Sequence, residues 1–208
     1  MTQENDKKSF WDRYAKWYDL EIQLTSRKAY RQIAHLFQGV LKADMDMLEV
    51  ATGTGLFALK AAPLVSTLVA TDYSPKMIET ANKKRKPLNL SFTLEDVMAL
   101  SFADESFDAV LIANALHIIP DPDKALAEIR RVLKPKGLLL APNFTHGHLV
   151  DKPGSFNARL LKRLGFETYH KWLPVEYVDF IAANGFKIVD WKVMKAAFPL
   201  VYLTAVKT

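Results

Sequence analysis

The chain of 208 residues has no cysteine. That excludes disulfides, thiolate metal sites and cysteine nucleophiles, and it agrees with a cytoplasmic address. It also lacks long apolar runs: none reaches the about 18 residues that a membrane-spanning helix needs. The opening stretch, Met1-Thr2-Gln3-Glu4-Asn5-Asp6-Lys7-Lys8, has no apolar core and so does not read as a secretory signal. Internal repeats, low-complexity stretches and interdomain linkers are missing, which leaves one domain over 1–208 as the expectation. No nucleic-acid-binding module is visible, so nucleic acid is not an expected partner, and nothing implies an obligate protein partner.

What remains is ordinary globular composition, 50% hydrophobic and 25% charged, with a net charge of +5. The cations cluster in Lys83-Lys84-Arg85-Lys86 and in Arg130-Arg131-x-x-Lys134-x-Lys136. These read first as solvated helix ends, where positive charge suits the dipole. Attraction to an anionic substrate or a lipid surface is the second reading.

Residues 7–20 and 26–42 look helical, and strand and helix signals then alternate. Strands are expected at about 46–51, 67–72, 90–94, 107–113 and 138–141. The first, fourth and fifth are almost wholly apolar, as parallel strands buried on both faces should be. Ser74-Pro75 and Asp121-Pro122 each offer an N-cap followed by proline at the first helical position. Ala125, Leu126, Ile129, Val132 and Leu133 trace one apolar stripe, which Pro135 and Gly137 are expected to stop. This alternation implies right-handed crossovers and a doubly wound α/β fold. Residues 186–194 and 198–206, joined by a very short link, fit only an antiparallel hairpin.

Leu48-Glu49-Val50-Ala51-Thr52-Gly53-Thr54-Gly55 is the most informative segment. An apolar strand breaks into a small-residue loop and then a helix start. Glycines let the backbone approach a ligand, and a helix N-terminus offers free N–H groups. Asp72 follows about 20 residues later at the end of the next strand, where a ribose hydroxyl would sit. Gly53-x-Gly55-x-x-Ala58 also fits the dinucleotide fingerprint, so a nicotinamide-dependent oxidoreductase stays open, as does a cofactor-binding protein that catalyses nothing.

Further blocks follow in order: Val69 to Met77, Leu94-Glu95-Asp96-Val97, Asp104 to Val110, and Arg130 to Gly137. Together they resemble the class I S-adenosylmethionine-dependent methyltransferases, closest to the small single-domain type that includes ubiquinone/menaquinone and bacterial phospholipid methyltransferases. The resemblance is strong over residues 10–142. It implies a Rossmann-like, mostly parallel seven-stranded sheet with a C-terminal antiparallel hairpin (186–208) and an N-terminal helical lid (1–42). The cofactor-binding core would be 43–142 and the cover of the acceptor pocket 143–185. It implies transfer of a methyl group from S-adenosyl-L-methionine, leaving S-adenosyl-L-homocysteine, to a small molecule by in-line displacement; quinone precursors and phospholipids are alternative acceptors. The family usually has glycine where this chain has Ala51, a change expected to cost little provided φ there stays negative.

The resemblance also implies roles. Glu49 would hold the methionine end, and Asp72 the ribose diol. Tyr73 and Met77 would flank the adenine, with Asp96 and the Val97 N–H at its edge. Tyr14 and Tyr18, four apart on one helical face, would turn aromatic faces to the sulfonium. Ala51, Gly53, Gly55 and Asn114 complete the cofactor set.

The acceptor side draws on strand ends, where open sheets bind ligands. His117 follows the fourth strand and is the best-placed candidate base. Asn143 and His146-Gly147-His148 follow the fifth. Tyr169, His170 and Trp172 suit pocket walls with polar handles. His146 and His148 lack a third ligand in sequence, and no metal is expected.

Overall fold

The structure, a computed structural model, describes residues 3–146, 168–196 and 199–208. Two helices open the chain, α1 (Gln3–Thr25) and α2 (Arg27–Phe37). The core then alternates β1 (Asp46–Val50), α3 (Ala58–Ala61), β2 (Thr67–Asp72), α4 (Pro75–Asn82), β3 (Leu90–Leu94), β4 (Phe107–Ile112), α5 (Pro122–Val132) and β5 (Leu133–Leu140). A two-residue β6 (Asn143–Phe144), α6 (Pro174–Ala183), β7 (Phe186–Met194) and β8 (Leu200–Lys207) complete it.

Strands β1 to β5 are parallel, in the order β3-β2-β1-β4-β5. The antiparallel β8 lies between β5 and β7, with Ala205 paired to Leu139 on one side and Ile188 on the other. The short β6 continues β5 along β8, so the expected seven-stranded sheet gains an eighth small segment. β7 is therefore parallel to β1–β5, and its Met194 end lies at the same sheet edge as their carboxyl ends.

Both faces of the sheet are covered, as the apolar strands require. Leu48, Val50, Val110 and Ile112 join a core with Leu126, Ile129 and Ile181 of α5 and α6. Their neighbours Met47, Ala109 and Leu111 point the other way, to Ile33, Phe37 and Phe57. Alternating side chains thus feed opposite layers.

The caps of α4 and α5 form as expected: Ser74 accepts from the Met77 N–H at 3.1 Å and Asp121 from the Lys124 N–H at 3.0 Å. The end of α5 differs. It passes directly into β5 at Leu133, because Leu133 already pairs with Phe107. Pro135 and Gly137 therefore lie inside the strand, at an irregularity where Lys136 takes φ 60°. The helix α6 sits within the expected pocket cover. Glu176 caps it by accepting the Leu173 N–H at 2.8 Å, and buried Tyr177 donates to the Ala141 carbonyl at 2.9 Å.

The N-terminal helix is fastened across the carboxyl end of the sheet. Asp12 accepts from the Ser74 hydroxyl at 2.5 Å, Thr54 donates to Asp19, and Lys84 pairs with Asp19 at 2.5 Å.

Candidate functional site

The loop after β1 is built from unusual backbone. Ala51, Gly53 and Gly55 have φ of 51°, 58° and 79°. Gly55 is doubly constrained, since a Cβ there would lie 2.6 Å from the Phe92 ring. At Gly53 the neighbour is Tyr18, whose ring would stand 3.5 Å from an added Cβ. Ala51 departs from expectation: its φ is positive, so the methyl group carries left-handed strain of about 1 kcal/mol.

Asp72, at the end of β2, ties this loop. Its two carboxylate oxygens accept the Gly53 N–H at 2.7 Å and the Ser74 N–H at 2.9 Å. Burial raises its pKa to about 6 against those two hydrogen bonds. Each oxygen keeps a lone pair for a further donor, such as a diol hydroxyl.

Glu49, on β1, is buried, and one of its carboxylate oxygens has no hydrogen-bond partner among the described residues. Burial pushes its pKa up to about 8; the Thr52 side chain pulls it down and the Asp72 charge adds to the rise. Asn114, beyond β4, has φ 54° and anchors through its own N–H to the Pro142 carbonyl at 2.8 Å. Its amide nitrogen donates to the Tyr30 hydroxyl at 3.0 Å, which in turn meets the Tyr18 hydroxyl at 3.3 Å. The Asn114 side-chain oxygen, also buried, has no partner among the described residues. Unmade hydrogen bonds at buried acceptors are costly. With the Thr52 hydroxyl of the same loop also unpartnered among the described residues, the Glu49 and Asn114 oxygens fit a ligand that brings a cationic donor, as the ammonium of S-adenosylmethionine would.

Tyr30 belongs to this corner and escaped the sequence reading. It lies on the apolar stripe of α2 with Ile33 and Phe37 and stacks on Phe57 at 4.5 Å, so its spacing signals core alone. Tyr18 lies against the glycine loop at Gly53. Tyr14 lies one turn back, and its hydroxyl donates to Glu21 at 2.6 Å rather than to the loop.

Beside this loop, the Glu95 N–H donates to the Asp72 carbonyl at 3.1 Å, which draws the ends of β2 and β3 together. Asp96 caps the Met98 N–H at 2.9 Å with one oxygen. Val97 and Tyr73 are half-buried, and Met77 is buried.

A second corner gathers the residues expected on the acceptor side. The His117 carbonyl accepts the Tyr169 and His170 N–H groups at 3.0 and 3.2 Å, and the His146 N–H bonds the Trp172 carbonyl at 2.8 Å. His170, Trp172 and Phe180 form a stack with spacings of 4.9 and 4.7 Å. His117 is buried, with Nδ1 3.0 Å from Asn143 Oδ1. The Asn143 amide nitrogen donates to the Phe144 carbonyl at 3.0 Å, and that assigns the amide orientation. His117 Nδ1 then carries the proton and Nε2 the lone pair. Burial lowers the His117 pKa to about 4, so the imidazole is neutral at pH 7. Gly147, His148 and the rest of the expected cover from 149 to 167 lie outside the described residues.

Comparison with known proteins agrees with this geometry. The family profile described as a methyltransferase domain matches residues 48–141. The demethylmenaquinone methyltransferase of Lactobacillus johnsonii is 30% identical over 200 residues, covering 91% of this chain and 75% of that one. That of Renibacterium salmoninarum is 36% identical over 140 residues, 66% of this chain and 58% of its own length. Among solved structures, a methyltransferase from Aquifex aeolicus that depends on S-adenosylmethionine superposes with a TM-score of 0.71 at 18% identity, covering 95% of this chain and 98% of that one.

Proposed function

We propose that this chain, which belongs to the class I S-adenosylmethionine-dependent methyltransferases, methylates a small, largely apolar acceptor, with a quinone precursor as the favoured choice. The observation that carries the reading is the pair of orphaned buried acceptors, Glu49 and Asn114, beside the glycine loop. When bound, the cofactor supplies a methyl group already activated on a cationic sulfonium, so the protein's task is alignment and exclusion of water. Glu49 and Asn114 orient the ammonium end. Asp72 holds the ribose diol, and Asp96 with the Val97 N–H reads the adenine edge. The Tyr18 ring, packed beside Gly53, would exclude water from the loop.

The quinone precursor is favoured on two grounds. Both relatives are named as demethylmenaquinone methyltransferases. The flat stack of His170, Trp172 and Phe180 also suits a planar ring. Methylation at a ring carbon releases a proton, and His117 Nε2, held as the unprotonated nitrogen by Asn143, faces that task as the base. The net positive charge supports peripheral contact with an anionic lipid surface.

The glycine loop also fits a dinucleotide, so calorimetric titration with S-adenosylhomocysteine and with NADH is the test. Saturable binding of S-adenosylhomocysteine without NADH binding is expected. Binding of NADH alone would overturn the reading.

A further inference from the structure

Tyr30 joins the cofactor corner through the Asn114 amide. Its ring is held by the fold: it is buried with Ile33 and Phe37 of α2 and stacks on Phe57 at 4.5 Å, with the planes 10° apart. The hydroxyl is thereby kept beside its two neighbours, the Asn114 amide nitrogen at 3.0 Å and the Tyr18 hydroxyl at 3.3 Å. Burial raises the Tyr30 pKa to about 12, so at pH 7 the hydroxyl keeps its proton and its lone pairs. Asn114 is fixed as firmly at its backbone, by φ 54° and by the bond from its N–H to the Pro142 carbonyl at 2.8 Å. What stays free in its side chain is the exchange of the amide's two ends. A half-turn of the terminal torsion does this at little cost in shape, because the oxygen and the nitrogen are nearly the same size.

The line Tyr18, Tyr30, Asn114 therefore has two self-consistent proton arrangements. In one, the Asn114 nitrogen donates to the Tyr30 oxygen, and the amide oxygen is left to the corner. In the other, Tyr30 donates to the amide oxygen, and the N–H groups are left to the corner instead. An incoming ammonium would meet an acceptor in the first and another donor in the second. The structure holds the first: the nitrogen bonds Tyr30, and the oxygen has no partner among the described residues. That arrangement needs an acceptor at position 30, because a buried N–H is seldom left unpaired, whereas a carbonyl oxygen tolerates it better.

We propose, resting on the methyl-transfer reading above, that Tyr30 is a positioning residue for the cofactor. Its hydroxyl oxygen holds the Asn114 amide with the carbonyl toward the ligand, and so selects ligands that carry an ammonium. Phenylalanine at this position keeps the ring and its stack on Phe57 and removes only the acceptor. The amide then turns its nitrogen to the corner, and a bound ammonium has to turn it back against an unpaired N–H.

The test is calorimetric, on the whole chain, with two ligands. One is S-adenosylhomocysteine. The other is methylthioadenosine, which has the same nucleoside and thioether without the amino-acid end. Tyr30→Phe should weaken S-adenosylhomocysteine at least about tenfold and methylthioadenosine less than about twofold. Retained methylthioadenosine binding also shows that the variant is folded. Asn114→Gly suits the left-handed backbone and deletes the amide. In that background Tyr30→Phe should change the affinity for S-adenosylhomocysteine less than about twofold, since no amide remains to be oriented. Equal loss of both ligands in Tyr30→Phe, an affinity for S-adenosylhomocysteine that it leaves unchanged, or the same loss with and without the Asn114 amide would overturn the proposal. A wild type without affinity for S-adenosylhomocysteine would defeat the methyl-transfer reading itself, and the proposal with it.

Discussion

Replacing Glu49 with glutamine should stabilise the ligand-free protein at alkaline pH while weakening its hold on the cofactor. Glu49 is only 1% exposed, and burial moves its pKa from 4.5 to about 8. The folded state thus binds more protons than the unfolded state between those values. Stability is fully present below about pH 4.5 and declines as pH rises to 8. That gap, at about 1.36 kcal/mol per pH unit, amounts to roughly 4–5 kcal/mol once Glu49 is ionised. Glutamine keeps the shape and carries no charge, so thermal melts of Glu49→Gln should lack the decline between pH 6 and 8 that the wild type shows. The cofactor should act in the opposite direction. An ammonium beside Glu49 favours its ionised form, so binding at pH 7 should release close to one proton, and affinity should rise about tenfold per pH unit below 8. Calorimetry in two buffers of different ionisation heat counts that proton. Wild-type melts flat over this range, together with binding that releases no proton, would refute the reasoning.

Asp72→Ala should weaken S-adenosylhomocysteine binding by about 1.5–3 kcal/mol. It should also lower the melting temperature, since two buried-loop N–H groups lose their acceptor. Calorimetry and a thermal melt check the two effects separately. Gly55→Ala should cost more than about 2 kcal/mol, because both its φ of 79° and the Phe92 ring oppose a side chain. Ala51→Gly should be neutral to about 1 kcal/mol stabilising by the same denaturation assay, as relief of φ strain offsets the greater freedom of the unfolded chain. Asn143→Asp should place a carboxylate beside the imidazole and raise the His117 pKa from about 4 toward neutrality, visible by NMR titration and as a new inflection in the pH–rate profile.

Strands such as β2 and β3 were legible to the residue, because their flanks carry unambiguous turn and cap signals. The end of α5 was not. Tertiary pairing of Leu133 with Phe107 overrides the local stop at Pro135 and Gly137. Helix α6 hides in an aromatic stretch whose moderate pattern reads equally well as pocket wall. At the site, the positions of Glu49, Asp72 and the glycines were legible because they follow from strand ends. Tyr30 could not, since its hydroxyl meets Asn114 from 84 residues away. The strain at Ala51 was out of reach as well, because sequence does not report the sign of φ.

The central claim is methyl transfer at the corner formed by Glu49, Asp72 and Asn114. The most direct measurement incubates the enzyme with S-adenosylmethionine labelled in its methyl group and with a demethylated menaquinone. Label should appear in the quinone at a ring carbon in the wild type and fall steeply in Glu49→Gln. Binding of S-adenosylhomocysteine without label transfer to any quinone, lipid or metabolite in a cell extract would contradict the account.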